Sequence, residues 1–379
     1  MEYKEYELGE LLYYEQPTPY IVESTDYNDA YETPVLTAGK SFILGYTDEK
    51  EGIYDQLPVI IFDDFTTASQ YVNFKFKVKS SAMKILTPVT ELVLPKYIHY
   101  RIQIIQFDHS THKRYWIQQY SKIRVSIPPI PEQECIVARI EELFSQLDAG
   151  VETLKKTKAQ LAVYRQAVLK EAFEGDYPRK QLKEFSKAIS GFAFKSSRYS
   201  PGGNYVVVKI GNVKERHFDF SRDLTKTLEA DDSILEKYLL RRGDCLITLT
   251  GSRGKRDYGF VAMVGNQNNY LLNQRVAALR FDQSVALPEF FQYYLASPSY
   301  RDMFFGYETG NVGQGNVGIK ALLDPYVILP DIDMQKRIVE DVEDRLSVCD
   351  SIEQTVDTAL QQAEAMRQSI LKDAFEGRL

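Results

Sequence analysis

The sequence has few of the residues that build metal sites and disulfides. Its 379 residues include three cysteines, Cys135, Cys245 and Cys349, which lie far apart and show no CxxC spacing. We therefore predict neither a zinc site nor a disulfide framework, and we expect a reducing, cytoplasmic location. Among the four histidines only His109 and His112 lie close together, and the polar residues around them predict a solvated loop.

Long hydrophobic runs are also absent. No apolar run approaches the ~18 residues that a membrane-spanning helix needs, and we expect no membrane partner. The N-terminus, with Glu2, Glu5 and Glu7, does not have the layout of a signal peptide. The length is about twice that of a usual single domain, so we expect two or more packed units.

Three segments approach known catalytic or nucleotide-binding motifs, and each lacks an essential part. Gly313–Gly318 matches GxGxxG, but it follows a helix end and a polar loop instead of a strand. Leu249–Arg256 is too short for a phosphate loop and has Arg256 where Ser or Thr must bind Mg²⁺. Ile127–Ile130 lacks the polar and aromatic residues that flank the prolines of an amine methyltransferase loop. We expect no catalytic residue, metal or cofactor in this chain.

Basic residues are concentrated in two stretches, although the whole chain carries a net charge of -7. Residues 61–130 have 10 basic and 4 acidic side chains, and residues 180–256 have 16 and 9. Because salt screens charges beyond about 8 Å, a local basic surface attracts polyanions even on an acidic protein. Either stretch alone is also explained as ordinary solvated surface, but two in matching positions favour nucleic acid as a partner.

One internal repeat organises the chain. Residues 125–175 align without a gap to residues 327–377, and 19 of the 51 aligned pairs are identical. The identical pairs include Pro128/Pro330, Gln133/Gln335 and Asp148/Asp350, and both copies close in Ala-Phe-Glu-Gly.

Each copy of the repeat predicts one long helix, because proline precedes it, glycine follows it and ~40 residues without proline lie between. Apolar residues recur every seven positions, as at Ile140, Leu147 and Leu154, which is typical of a coiled-coil seam. Polar interruptions can fix the register of such a seam, and here they are Lys158, Arg165, Glu353 and Arg367. We predict that the two helices pair within the chain as an antiparallel coiled coil. A coiled coil between two chains is the alternative.

The segments ahead of the two helices, residues 1–127 and 176–328, predict two mixed globules. Short β-type runs between turn residues occur at Pro58–Phe62, Asn204–Ile210 and Gly243–Thr250, whereas Leu287–Phe305 has a helical pattern. The predicted fold class is therefore α+β, with two globules that alternate with two long helices, 128–175 and 329–379.

Several segments carry a resemblance to a known family. Pro128–Val151, which continues to Ala-Phe-Glu-Gly, and the second copy, which closes in Lys372–Leu379, resemble the two conserved helices of the specificity subunit of type I restriction-modification enzymes. Ile189–Ser196, Ile210–Val213 and Leu240–Asp244 are similar to segments of a target-recognition domain. In the first globule, Thr33–Lys40 and Ile60–Thr67 resemble a second type of recognition domain that is common in that family.

The resemblance implies a non-catalytic, sequence-specific DNA-binding subunit. Residues 1–127 and 176–328 would each read one half of a split target in double-stranded DNA, and the coiled coil would set the spacer. Two methyltransferase subunits, which use S-adenosylmethionine, would dock on the coiled coil. Two restriction subunits, which use ATP and Mg²⁺, would join them.

The candidate DNA-contacting residues are basic side chains for phosphates and loop Arg, Asn, Gln and Thr side chains for bases. In the first globule they are Thr37, Lys40, Thr66, Thr67 and Gln70. In the second they are Lys195, Arg253, Lys255, Arg256, Gln274, Arg275, Asn311, Gln314 and Asn316. Each is also explained as a surface residue or turn former.

Two other functions compete with DNA recognition. A coiled-coil scaffold whose globules bind proteins would show no salt-dependent affinity for duplex DNA. A single-chain restriction-modification enzyme is disfavoured because the chain has no catalytic motif and ends two residues after Gly377.

Overall fold

The computed structural model describes residues 3–39, 41–109, 114–221, 225–311 and 313–379. The chain combines helices with runs of short strands that pair mainly antiparallel, which confirms the α+β class. The chain forms two compact units, the first from Met1–Lys155 with Asp357–Leu379 and the second from Lys156–Val356. Each unit therefore combines one globule with a part of both long helices.

The first globule is built mainly from short strands. Its elements are β1 (Lys4–Glu7), α1 (Leu8–Leu11), β2 (Leu12–Glu15), β3 (Thr33–Leu36), β4 (Ile43–Thr47), β5 (Val59–Asp63), β6 (Ser69–Val72), β7 (Lys77–Val78), β8 (Met83–Pro88), α2 (Pro95–Gln103) and β9 (Arg124–Ile127). An antiparallel sheet has the order β2-β8-β5-β6, and a second sheet has the order β4-β3-β7, with β3 parallel to β7. The first and last strands, β1 and β9, pair with each other.

Alternating side chains of β5 supply two separate hydrophobic cores. Ile60 and Phe62 pack with Leu86 of β8 and with α2 residues such as Tyr97, while Val59 and Ile61 pack into the other core. This is the period of two that a strand buried on both faces requires. The continuous apolar run at 58–62 therefore correctly predicted a strand.

The second globule repeats this topology. Its elements are β10 (Arg179–Gln181), β11 (Ser186–Ser190), β12 (Tyr205–Val208), β13 (Thr227–Leu228), α3 (Asp232–Tyr238), β14 (Cys245–Thr248), β15 (Thr250–Gly251), β16 (Val261–Met263), β17 (Tyr270–Leu272), β18 (Val276–Phe281), α4 (Pro288–Ala296), α5 (Pro298–Gly306), β19 (Gly315–Asn316), α6 (Ile319–Leu323) and β20 (Tyr326–Ile328). The sheets run β11-β18-β14-β16 and β13-β12-β17, with β12 parallel to β17, and β10 pairs with β20. The duplication seen in the helices thus extends to the fold of the globules, although the amino-acid sequences of the two globules differ.

The helical prediction over Leu287–Phe305 is confirmed, with a break. α4 ends before Ser297, and α5 begins at Pro298. The Ser297 hydroxyl accepts a hydrogen bond from the Tyr300 N–H, and proline is tolerated in the first turn because it has no N–H to satisfy. The serine and proline therefore divide into two helices a segment that the apolar pattern alone predicted as a single helix.

Two long helices follow the globules, as predicted. We call the first long helix αA (Ile130–Ala172) and the second long helix αB (Ile332–Phe375). In the first unit, Ile140 and Phe144 of αA pack against Leu371 and Ala374 of αB. In the second unit, Val168 of αA belongs to the same core as Val342 and Leu346 of αB. Early residues of one helix meet late residues of the other, so the pair is antiparallel and forms within the chain.

The charged interruptions of the seam bond to partners on the opposite helix. In the second unit, Arg165 donates to Asp350 at 2.7 Å and pairs with Glu353 at 2.7 Å. In the first unit, Arg367 donates to Asp148. Arg165 and Arg367 are equivalent in the repeat, as are Asp148 and Asp350, so the same arginine–aspartate pair occurs once in each unit. These pairs specify one antiparallel register, because a shift by one heptad would leave the charges unmatched.

The structure also bears on smaller features of the sequence. Cys135, Cys245 and Cys349 are free thiols. Burial raises the pKa of the Cys245 thiol well above its usual value. None of the helices in the described part of the chain combines the length and the apolar character that a membrane crossing needs.

Candidate nucleic-acid interface

A tight loop after β15 carries three of the five basic candidates of the second globule, Arg253, Lys255 and Arg256. This basic loop, Ser252–Asp257, is closed by two hydrogen bonds, from the Ser252 N–H to Asp257 Oδ1 at 2.7 Å and from the Lys255 N–H to the Ser252 carbonyl at 3.1 Å. Gly254 and Arg256 adopt positive φ angles of 75° and 52°. The turn is therefore well defined, and it presents exposed basic side chains.

The two arginines of the basic loop are anchored to the chain around α5. Arg253 donates to the Gly310 carbonyl at 2.7 Å. Arg256 pairs with Asp302 at 2.6 Å and lies over the ring of Phe305, 5.2 Å from its centre. The charge of Arg256 is therefore partly neutralised in the free protein, and Arg253 keeps a full charge beside a carbonyl.

A short antiparallel pair, β15 with β19, brings a second loop next to the basic loop. Thr250 lies opposite Asn316 and donates to its Oδ1 at 3.2 Å. A Cβ atom at Gly315 would clash with Glu308 Oε1 and would lie 2.9 Å from the Tyr258 hydroxyl, so a larger residue there would displace these side chains. That hydroxyl donates to Glu308 at 2.7 Å, and burial with this bond raises the Tyr258 pKa.

A groove of about 330 Å³ lies beside this strand pair. The groove is lined by candidates Gln274, Arg275 and Asn316, together with Thr250 and Gly191. Arg275 has a positive φ of 69° in the turn between β17 and β18, and its carbonyl accepts from the Leu249 N–H at 2.9 Å. The structure therefore brings three of the predicted residues together in the lining of one groove.

The other candidates of the second globule lie outside this groove lining. Asn311 and Gln314 are exposed in the loop that leads to β19, where the Gln314 N–H donates to the Asn311 carbonyl at 3.3 Å. Lys195 is exposed at the start of a single 3₁₀ turn, Ser196–Arg198. Asn311 and Gln314 flank the β15–β19 pair, whereas Lys195 belongs to a separate segment.

In the first globule, Thr66 and Thr67 lie in the turn between β5 and β6. Asp63 organises this turn, because its Oδ1 accepts from the N–H groups of Phe65 at 2.8 Å and Thr66 at 3.0 Å. Thr67 has a positive φ of 57°, and its hydroxyl is 2.9 Å from Nε2 of His109. The ring of Phe65 is 43% exposed at the tip of the turn. His112 lies outside the described residues.

The remaining candidates of the first globule are dispersed. Thr37 lies in the β3–β4 turn, where its hydroxyl accepts from the Gly39 N–H at 2.9 Å. Gln70 lines a separate cleft together with His99 and Glu141. Lys40 lies outside the described residues.

The shared topology shows that some candidates of the two globules occupy equivalent connections. The β5–β6 turn with Thr66 and Thr67 corresponds to the β14–β16 connection that contains the basic loop. The β17–β18 turn with Gln274 and Arg275 corresponds to the β7–β8 turn, whose Lys79 and Ser80 are not among the sequence-based candidates. Thr250 and Gly191, which line the groove, are not among those candidates either. The charge count of residues 61–130 was a signal for Lys79, but only the strand order identifies its position.

Comparisons with known proteins agree with this arrangement. Residues 174–362 match the family described as "Type I restriction modification DNA specificity domain". The chain is 45% identical over 196 residues to the EcoR124I/EcoR124II specificity subunit of Escherichia coli, which covers 48% of each protein. It is 28% identical over 279 residues to the EcoKI specificity subunit of E. coli K12, covering 69% of this chain and 58% of that protein. The chain thus spans about half the length of the curated relatives it matches.

Two solved structures share the fold. A chain from work on complex assembly and conformational transition of the type I R-M system superposes with a TM-score of 0.71, at 17% identity, over 100% of this chain and 98% of that one. The HsdS subunit from Thermoanaerobacter tengcongensis gives a TM-score of 0.50 at 18% identity, over 100% and 97%. With the duplicated globules, the paired helices and the family match, the chain belongs to the family of type I restriction-modification DNA specificity subunits.

Proposed function

We propose that this chain is the non-catalytic subunit that gives a type I restriction-modification system its sequence specificity. Each globule, 1–127 and 176–328, reads one half of a split target in double-stranded DNA. The observation that carries this proposal is the equivalence of the β5–β6 turn and the β14–β16 connection. This connection carries polar or basic side chains in both copies of the duplicated fold, Thr66 and Thr67 in the first and the basic loop in the second, and a shared DNA-facing surface accounts for that.

The side chains of the groove suit direct reading of bases. An Asn or Gln amide can donate and accept at once, which matches the N6 and N7 atoms of adenine, and Arg matches O6 and N7 of guanine. Gln274, Asn316 and Arg275 supply these groups on one surface. The adjacent basic loop would hold phosphates, because backbone contacts position a protein on DNA without reading its sequence.

The helix pair would keep the two readers at a constant separation. Half-sites read from the same side of the duplex have centres about 34–36 Å apart, one turn of DNA. A ruler needs a fixed register, and the duplicated arginine–aspartate pairs of αA and αB support one. The alternative of a protein-binding scaffold gives no role to the basic loop of the second globule or to the Gln, Asn and Arg side chains of the adjacent groove.

The same helices would dock the catalytic partners. In the second unit, Leu161, Tyr164, Val348 and Ile352 line an apolar groove of about 550 Å³ on the helix pair. Val348 is 58% exposed and Ile352 is 40% exposed, which is costly for a surface that stays free. We assign this surface to one of two methyltransferase subunits, which bind S-adenosylmethionine. Two restriction subunits that use ATP and Mg²⁺ would complete the cytoplasmic complex.

The decisive experiment is a genome-wide map of methylated adenines with and without this chain. We expect a split motif, two short half-sites with a constant spacer, that disappears when the gene is deleted and returns with a plasmid copy. A methylation pattern that does not depend on the chain would contradict the proposal.

A further inference from the structure

A glutamine near the start of αA is fully buried and hydrogen-bonded on both ends of its amide. Gln133 has no solvent exposure. Its Oε1 accepts from the Leu94 N–H at 2.8 Å, while its Nε2 donates to the carbonyls of Leu92 at 3.1 Å and Pro128 at 2.8 Å. We call Gln133 with these three partners the first clamp.

The equivalent glutamine at the start of αB makes the same bonds in the second unit. Gln335 also has no solvent exposure. Its Oε1 accepts from the Leu287 N–H at 2.7 Å, and its Nε2 donates to the carbonyls of Val285 at 2.9 Å and Pro330 at 2.8 Å. We call this set the second clamp. The duplication therefore preserves a complete hydrogen-bond pattern and not only a residue type.

Each clamp joins three segments at one point. Pro128 belongs to the chain that leaves the last strand of the globule and enters αA, and Leu94 directly precedes α2. In the second unit, Leu287 directly precedes α4 in the same way. A buried amide that satisfies one backbone donor and two backbone acceptors fixes distances and angles together, which apolar packing alone does not. The clamps thus set the angle between globule and long helix within each unit.

We propose that Gln133 and Gln335 are positioning residues that determine the spacer length of the DNA target, by holding each globule at one angle on its long helix. This inference rests on the proposed function and deepens it. A globule of this size is on the order of 30 Å across. A tilt of about 6.5° at the clamp therefore moves the outer loops by about 3.4 Å, the rise of one base-pair step.

The test compares spacer choice between the wild-type chain and a chain with Gln133→Met, in the complex with its methyltransferase partner in cells. Methionine keeps the volume and removes all three hydrogen bonds. We expect the half-site sequences to stay the same, while methylation at spacers one base pair shorter or longer rises at least tenfold. Gln146→Met is the matched control, because Gln146 is exposed on the same helix.

A second control separates positioning from stability. Ile140→Ala removes a buried side chain of the helix pair without touching the clamp, and it should lower total methylation without admitting new spacers. A loss of folded protein reduces methylation at all spacers in proportion, so only a change in angle alters their ratio.

Gln335→Met provides an independent trial in the other unit, with the same expected broadening. The inference falls if both variants fold and methylate only the wild-type spacer, or if neither folds, since the glutamines would then serve the core alone. A wild-type map without any split motif would instead refute the proposed function.

Discussion

The basic loop of the second globule offers a quantitative test of DNA binding. We consider the triple change of Arg253, Lys255 and Arg256 to alanine. Each phosphate that a cation neutralises adds about 0.9 to the slope of log affinity against log salt concentration. Three full contacts would contribute about 2.7, but Arg256 is already paired with Asp302 at 2.6 Å. We therefore expect the slope to fall by about 2, from Arg253 and Lys255.

The assay is fluorescence anisotropy of the full chain with duplex DNA over a salt series. With a slope difference of about 2, the wild type loses about tenfold more affinity than the triple variant between 50 and 200 mM salt. The matched control replaces Lys180, Lys183 and Lys187 with alanine. These residues are also exposed, and Lys187 lies at the end of β11 that is far from the groove-lining Ser190. An unchanged slope in the first variant, or an equal loss in both, would remove the basic loop from the interface.

Three further predictions concern stability. Burial lowers the pKa of His99 to about 4, so the unfolded chain binds the extra proton between pH 6.5 and 4. The free energy of unfolding should therefore decrease by up to about 3 kcal/mol as the pH is lowered from 6.5 to 4. Thermal unfolding measured over this pH range should show the decrease for the wild type but not for His99→Gln. Leu371→Ala should lower the free energy of unfolding in urea by about 3 kcal/mol, because Leu371 is fully buried between the helices. An equal loss from Met366→Ala, at an exposed position of the same helix, would contradict this reasoning. Arg165→Met should lower the free energy of unfolding by about 1 kcal/mol, because its partner Asp350 is half exposed. A double-mutant cycle with Asp350→Asn that shows no coupling energy would contradict this expectation.

The long helices were predictable because their information is local and periodic. A heptad pattern over five repeats, with proline before and glycine after, leaves few alternatives to a long helix. The within-chain repeat supplied an obvious partner for each apolar stripe. The sequence also marked Arg165 and Arg367 as polar positions in the seam, although their aspartate partners became clear only from the antiparallel register.

The binding surface was less predictable because its residues are distant in the chain. Gln274 and Asn316 share one groove only because β15 pairs with β19 beside the β17–β18 turn. Composition identified them as polar loop residues, but it gave no means of separating them from Lys195, or of anticipating that Gln70 lines a different cleft. The anchoring of Arg256 by Asp302 was equally invisible, since the two residues are 46 positions apart.

The glutamine clamps show where the boundary between sequence and structure lies. The amino-acid sequence alone determined the repeat, the two long helices αA and αB, and the fold class of the globules, because helix periodicity and turn residues act over short distances. Tertiary structure decided which loops share a surface, and that the paired glutamines hold backbone groups about 40 to 50 residues away in the chain. Buried hydrogen bonds depend on the approach of segments in space, and that approach follows from the packing of the whole chain.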